Sequence, residues 1–129
     1  MESVTEKKAW ATIMKGKRFL NAFRGIKIVV ATTKHFKVHL FFAIAALVLG
    51  FYFCISEMEW IAIIFAIGLV IMAEAFNTEI EIDIDLTSPE YHPYARDTKD
   101  VAAGAVLISA FVAVIVGLVI FIPKVFLIQ

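Results

Sequence analysis

Cysteine is almost missing from this chain of 129 residues: Cys54 stands alone, which excludes an intramolecular disulfide and a cysteine-based metal cluster. Zinc-type spacing is missing as well, because His35, His39 and His92 are scattered. Glycine is scarce, at six residues, and the pair Gly16 and Lys17 lacks both the earlier glycine and the hydroxyl residue after lysine that a soluble-type phosphate loop requires. No long linker, low-complexity tract or internal repeat divides the chain, so residues 1–129 read as one domain. The first apolar run begins too late and is too long for a cleavable signal peptide.

What is abundant is apolar surface. Hydrophobic residues make up 61% of the chain and its mean hydropathy is +0.87, far above an ordinary soluble domain. Val38 to Ile55, Trp60 to Ala73 with its acidic continuation, and Val101 to Ile122 are each long enough to span or nearly span a bilayer. The expected fold is therefore an all-α membrane protein, with membrane helices over 38–55, 58–86 and 97–122. Ahead of them, Phe19, Leu20, Phe23, Ile26 and Val30 recur at steps of three and four, while Lys15, Lys17, Arg18, Arg24 and Lys27 take much of the remaining surface. This pattern predicts an amphipathic interfacial helix over 10–36, held to anionic headgroups by its basic residues. A basic flank that only fixes orientation would read the same way.

The formal net charge of zero conceals a separation along the chain. Nine lysines and arginines against two glutamates precede Val38, whereas eight acids against Arg96 and Lys99 lie between Glu74 and Asp100. Basic residues gather on the cytoplasmic side, so the N-terminus is expected inside, Ser56 to Glu59 outside, Leu86 to Asp100 inside and the C-terminus outside. Between the second and third membrane helices, over Leu86 to Pro93, Pro89 and Pro93 interrupt the helix, and Asp97 or Thr98 is the expected cap of the third. Small residues at four-residue spacing, Ala46 with Gly50 and Ala113 with Gly117, favour close helix approach. Three helices leave little interior for a carboxylate, which favours a homo-oligomer with sites between subunits.

The informative carboxylate is Glu74. If Trp60 marks a bilayer boundary, a rise of about 1.5 Å per residue puts Glu74 about 21 Å along, inside a hydrocarbon core about 30 Å thick. A helix starting near Ser56 would instead leave Glu74 at a solvated end. At 100° per residue, Glu74, Asn77, Thr78, Glu81 and Asp85 share one stripe, while Glu79 and Asp83 point nearly the opposite way. Carboxylates with an amide suit Mg²⁺, a hard cation that bridges protein oxygens and nucleotide phosphates. Lys99 supplies a positive partner for phosphate, and Glu74, deepest in the stripe, suits a general base. His35 and His39, with no carboxylate near them in sequence, read as headgroup contacts. An ion pathway would need polar groups in the outer half of the bilayer, where 60–73 and 107–122 offer almost none.

The stretch AEAFNTEIE, then Asp85, then SPEYHP, then KDVAAGAVL, resembles the bacterial integral-membrane diacylglycerol kinase family, its undecaprenol kinase branch in particular. The resemblance runs from about Lys17 to Phe121. It implies a homotrimeric helical bundle in the bacterial inner membrane that transfers the γ-phosphate of ATP, with Mg²⁺, to a lipid hydroxyl, undecaprenol or diacylglycerol. By the same resemblance Glu74 is the catalytic base, and Asn77, Glu81 and Asp85 match polar, metal-binding and nucleotide positions. Lys99 and Asp100 match a phosphate- and nucleotide-site pair, and Glu90, Tyr91 and His92 lie near the adenine. Glu74 and Asn77 would also meet the lipid substrate. A lipid, ATP and sister subunits are the implied partners; nothing points to nucleic acid. One departure stands out: Thr33 occupies the position of a second metal-binding glutamate, and a hydroxyl is a far weaker Mg²⁺ ligand. A second reading follows, a catalytically impaired member that binds nucleotide or cation.

Overall fold

The computed structural model describes residues 4–33 and 35–127, with side chains over 17–33 and 35–126. Four helices follow one another: α1 (Val4–Thr32), α2 (Phe36–Tyr52), α3 (Glu57–Thr87) and α4 (Pro93–Leu127). The described residues are otherwise short connections. α3 and α4 pack along each other, α2 lies against α3, and α1 touches α2 and α3.

Two of these helices, α3 and α4, are long and apolar enough to cross a membrane. α2 has 17 residues, about 26 Å at ~1.5 Å per residue, slightly short of a ~30 Å core. Between Lys17–Thr32 and Phe36–Tyr52 the helix direction turns by 102°. The amphipathic helix thus ends at Thr32, earlier than the sequence pattern suggests, and Phe36 already belongs to the next helix. Phe19, Leu20 and Phe23 of α1 stay exposed within the single chain. The side chain of Lys15 lies outside the described residues.

At the end of the bundle holding the α2–α3 connection, Ile55, Ile63 and Ile120 are buried against Trp60, Phe53 and Phe121. Gly50 lets Trp60 in: a Cβ there would stand 2.8 Å from the indole ring. Gly50 therefore serves a side chain rather than helix-to-helix approach. A Cβ on Gly117 would meet nothing within 4 Å, and Ala46, Ala113 and Gly117 line an apolar groove of about 340 Å³ between α2, α3 and α4. α2 ends in a Schellman turn, with Ile55 N–H donating to Gly50 C=O, Cys54 N–H donating to Phe51 C=O, and Cys54 at φ 48°. Ser56 and Glu59 form a capping box at the start of α3, and Lys124 of α4 reaches Glu59 at 3.0 Å.

Two sequence expectations change here. α3 does begin beside Ser56, yet Glu74 is buried within the chain, not solvated. α4 opens at Pro93, so Asp97 and Thr98 lie inside the helix and cap nothing. Proline suits a first helical position, where its missing N–H leaves no bond unmade. The cap is His92, whose Nδ1 accepts from Tyr94 N–H at 3.3 Å and whose C=O accepts from Arg96 N–H at 3.1 Å. Lys99 and Asp100 consequently sit in the second turn of α4 rather than its first.

Candidate active site

The acidic face of α3 descends from water into the bundle. Glu81 and Asp85 are exposed, Asn77 and Thr78 are buried, and Glu74 is only 2% exposed. A helix of the usual rise places Glu74 about 26 Å from Glu57 and about 10 Å from Glu81. Helical periodicity alone aligns these groups, because side chains three, four and seven positions apart share a face.

Each member has a defined surrounding. Glu74 Oε1 stands 2.9 Å from His39 Nε2, contributed by the first turn of α2. This neighbour corrects the reading of His39 as a headgroup contact, since packing of α2 on α3 supplies the carboxylate that local sequence lacks. Thr78 Oγ1 donates to the Glu74 backbone C=O at 2.9 Å, and the Thr33 hydroxyl lies 2.6 Å from Thr78 Oγ1. With the Thr78 proton committed to the backbone, Thr33 is the donor between them. Thr33 thus ties the end of α1 to the depth of Glu74.

Asn77 Nδ2 donates to Glu81 Oε1 at 3.1 Å, which fixes the amide with its oxygen on the other side. That oxygen, Oδ1, is buried and has no hydrogen-bond partner. A buried carbonyl oxygen left unpaired costs about 1–3 kcal/mol, so it is a ready acceptor for a cation or a hydroxyl. Among the described residues no three His, Cys, Asp or Glu side chains are grouped to hold a metal. The exposed Glu81 carboxylate nevertheless fits Mg²⁺, which commonly takes one or two protein donors and completes its shell with water and phosphate oxygens, while Asn77 Oδ1 faces the other way.

Toward the α3–α4 connection, Lys99 pairs with Asp85 and joins the two helices across the turn. Arg96 and Asp100 form a pair at 3.6 Å, both largely exposed. Glu90, Tyr91 and His92 are exposed on the connection, with the rings of His92 and Tyr94 at 5.6 Å between centroids. Glu79 and Asp83 line a separate groove beside Gly25 and Val29 of α1, away from Glu74 as their spacing predicts. The structure thus gathers Glu74, Asn77, Thr78, Glu81 and Thr33 in one place and leaves Glu90, Tyr91 and His92 at the rim. His39 is the neighbour that sequence reasoning missed.

Residues 20–121 match the prokaryotic diacylglycerol kinase family. An undecaprenol kinase of Bacillus subtilis (strain 168) is 42% identical over 108 residues, covering 84% of this chain and 88% of that protein. A diacylglycerol kinase of Synechocystis sp. is 35% identical over 100 residues, covering 77% of this chain and 57% of that protein. A diacylglycerol kinase of Escherichia coli (strain K12) is 33% identical over 70 residues, covering 54% and 57% respectively.

Proposed function

The chain belongs to the prokaryotic diacylglycerol kinase family and is a lipid kinase, and from that premise we propose that it transfers the γ-phosphoryl group of ATP to undecaprenol, with Glu74 as general base. The preference for undecaprenol over diacylglycerol rests on the extent of similarity to the Bacillus subtilis protein. The single observation that carries the catalytic assignment is the burial of Glu74, at 2% exposure, on the same helix face as Asn77 and Glu81. An ionisable group so placed in a membrane helix marks a site by default.

In this reading the lipid hydroxyl approaches from the bilayer and the nucleotide from the cytoplasm. Glu74 takes the hydroxyl proton as the lipid oxygen attacks the γ-phosphorus in line with the departing ADP. Glu81 would hold Mg²⁺, which when bound would neutralise charge on the phosphates, and Asn77 keeps the Glu81 carboxylate in place. Lys99 exchanges Asp85 for phosphate oxygens, Asp100 borders the nucleotide, and Glu90, Tyr91 and His92 lie beside the base. The molecule sits in the bacterial inner membrane as a homotrimer with three crossings per chain, N-terminus in the cytoplasm and C-terminus outside. The exposed apolar faces of α2 and α4 support partners or lipid on every side.

Protein purified into lipid with labelled ATP and Mg²⁺ should label an organic-phase product, more strongly with undecaprenol than with diacylglycerol. Glu74→Gln should abolish that labelling while leaving the oligomer intact. A second reading is favoured by one observation, the engagement of the Thr33 hydroxyl with Thr78: an impaired enzyme that binds nucleotide or cation without turnover. Binding of ATP or Mg²⁺ with no product would support it.

A further inference from the structure

The base proposed above does not stand alone, and its neighbour is new to the mechanism. His39 Nε2 lies 2.9 Å from Glu74 Oε1, with the imidazole 19% and the carboxylate 3% exposed. Among the described residues, His39 is the side-chain neighbour that reaches the Glu74 carboxylate, and the bond of Thr78 reaches only its backbone. His39 is also the one polar residue lining the apolar groove between α2, α3 and α4, beside Phe42, Ala66 and Val70. The pair therefore lies at the junction between a buried acid and an apolar cleft.

We propose that His39 is the positioning residue for Glu74, its Nε2–H holding Oε1 so that Oε2 is presented to the acceptor hydroxyl. A glutamate has three rotatable bonds, and a buried carboxylate with no partner would swing toward any donor or water. The imidazole, fixed by α2, removes that freedom. During transfer the acceptor O–H bond breaks and its proton passes to Glu74. The freed oxygen bonds the γ-phosphorus, and the bond from that phosphorus to ADP breaks. His39 keeps its own proton throughout. The assignment rests on Glu74 being the base, so both residues are tested together.

The experiment measures kcat and both KM values for wild type, His39→Leu, His39→Gln and His39→Asn in lipid, with Glu74→Gln alongside. The Gln amide nitrogen reaches about as far as Nε2, whereas the Asn amide falls one methylene short. Leu and Asn should lower kcat about a hundredfold, the scale expected for a misplaced catalytic group, with KM for ATP and lipid within about twofold. Gln should recover most of the loss. Should His39→Leu fail to yield folded oligomer, the Gln and Asn pair, both polar and of similar helix compatibility, gives the same comparison. Wild-type kcat in every His39 variant overturns the proposal, as does a loss confined to KM. Gln as inactive as Leu also overturns it, because the imidazole would then do chemistry that an amide cannot. An active Glu74→Gln removes the base and its positioning residue together, whereas an inactive Glu74→Gln with unaffected His39 variants removes only the latter.

Discussion

Asn77 and Thr33 show how much one side chain decides in this site. The unpartnered Oδ1 of Asn77 predicts a specific loss: Asn77→Leu removes the acceptor and also the donor to Glu81, so phosphorylation should fall at least tenfold while the helix content in circular dichroism is unchanged. Asn77→Asp keeps an oxygen but loses the donor to Glu81 and places a second negative charge beside it; maximal activity should fall while the Mg²⁺ concentration for half-maximal activity falls as well. At Thr33 the expectation is a gain. Thr33→Glu offers a carboxylate where the hydroxyl now meets Thr78, so the Mg²⁺ concentration for half-maximal activity should fall several-fold, at a stability cost of about 1 kcal/mol from the lost hydroxyl pair. An unchanged Mg²⁺ requirement would remove Thr33 from the metal shell. The Glu74, Asn77 and Glu81 stripe was legible in the sequence, because it lies on one helix and needs only the 3.6-residue period. The partners of that stripe were not. Thr33, just past the end of α1, was placed at the site only through the family resemblance and His39 of α2 was missed, because no local pattern encodes how α1 and α2 settle against α3.

The helix ends set where those residues stand along the membrane normal. α3 is fixed at its start by Ser56 and Glu59, whose spacing is that of a capping box and was readable in the sequence, and is braced by Lys124 from the far end of α4. Ser56→Ala should therefore cost about 1 kcal/mol, seen as a lower thermal midpoint in detergent, with little change in kcat because the site lies at the opposite end of the helix. Lys124→Met should cost less, since the pair is partly exposed and screened by solvent. A double-mutant cycle of Glu59→Gln with Lys124→Met measures the coupling directly. At the other end, Pro93 illustrates why a boundary was misplaced by sequence reasoning. Proline was read as an interruption, but the same residue opens α4, and His92 rather than Asp97 or Thr98 satisfies its first turn. Starting at Pro93 rather than 97 adds four helical residues, about one turn, ahead of Lys99, which pairs with Asp85.

For the whole molecule, the sign of charge at each end and the position of one cysteine make orientation measurable. On the proposed topology, which follows from the basic residues before Val38, the N-terminus and the acidic face of α3 lie in the cytoplasm and the α2–α3 connection lies outside. Cys54 lies in that connection, is exposed, and is the chain's only thiol, so no background labelling competes with it. A membrane-impermeant maleimide added to intact spheroplasts should therefore label the protein at Cys54 without permeabilisation. In a Cys54→Ser background, a cysteine introduced by Tyr91→Cys, on the exposed α3–α4 connection, should be labelled only after the membrane is opened. Because ATP is supplied from the cytoplasm, this orientation is also what the kinase reading requires: Glu81, Lys99 and Asp100 must share a side with the nucleotide. Labelling of Tyr91→Cys from outside, with Cys54 protected, would place the site away from ATP and remove the route by which the phosphoryl donor reaches Glu74.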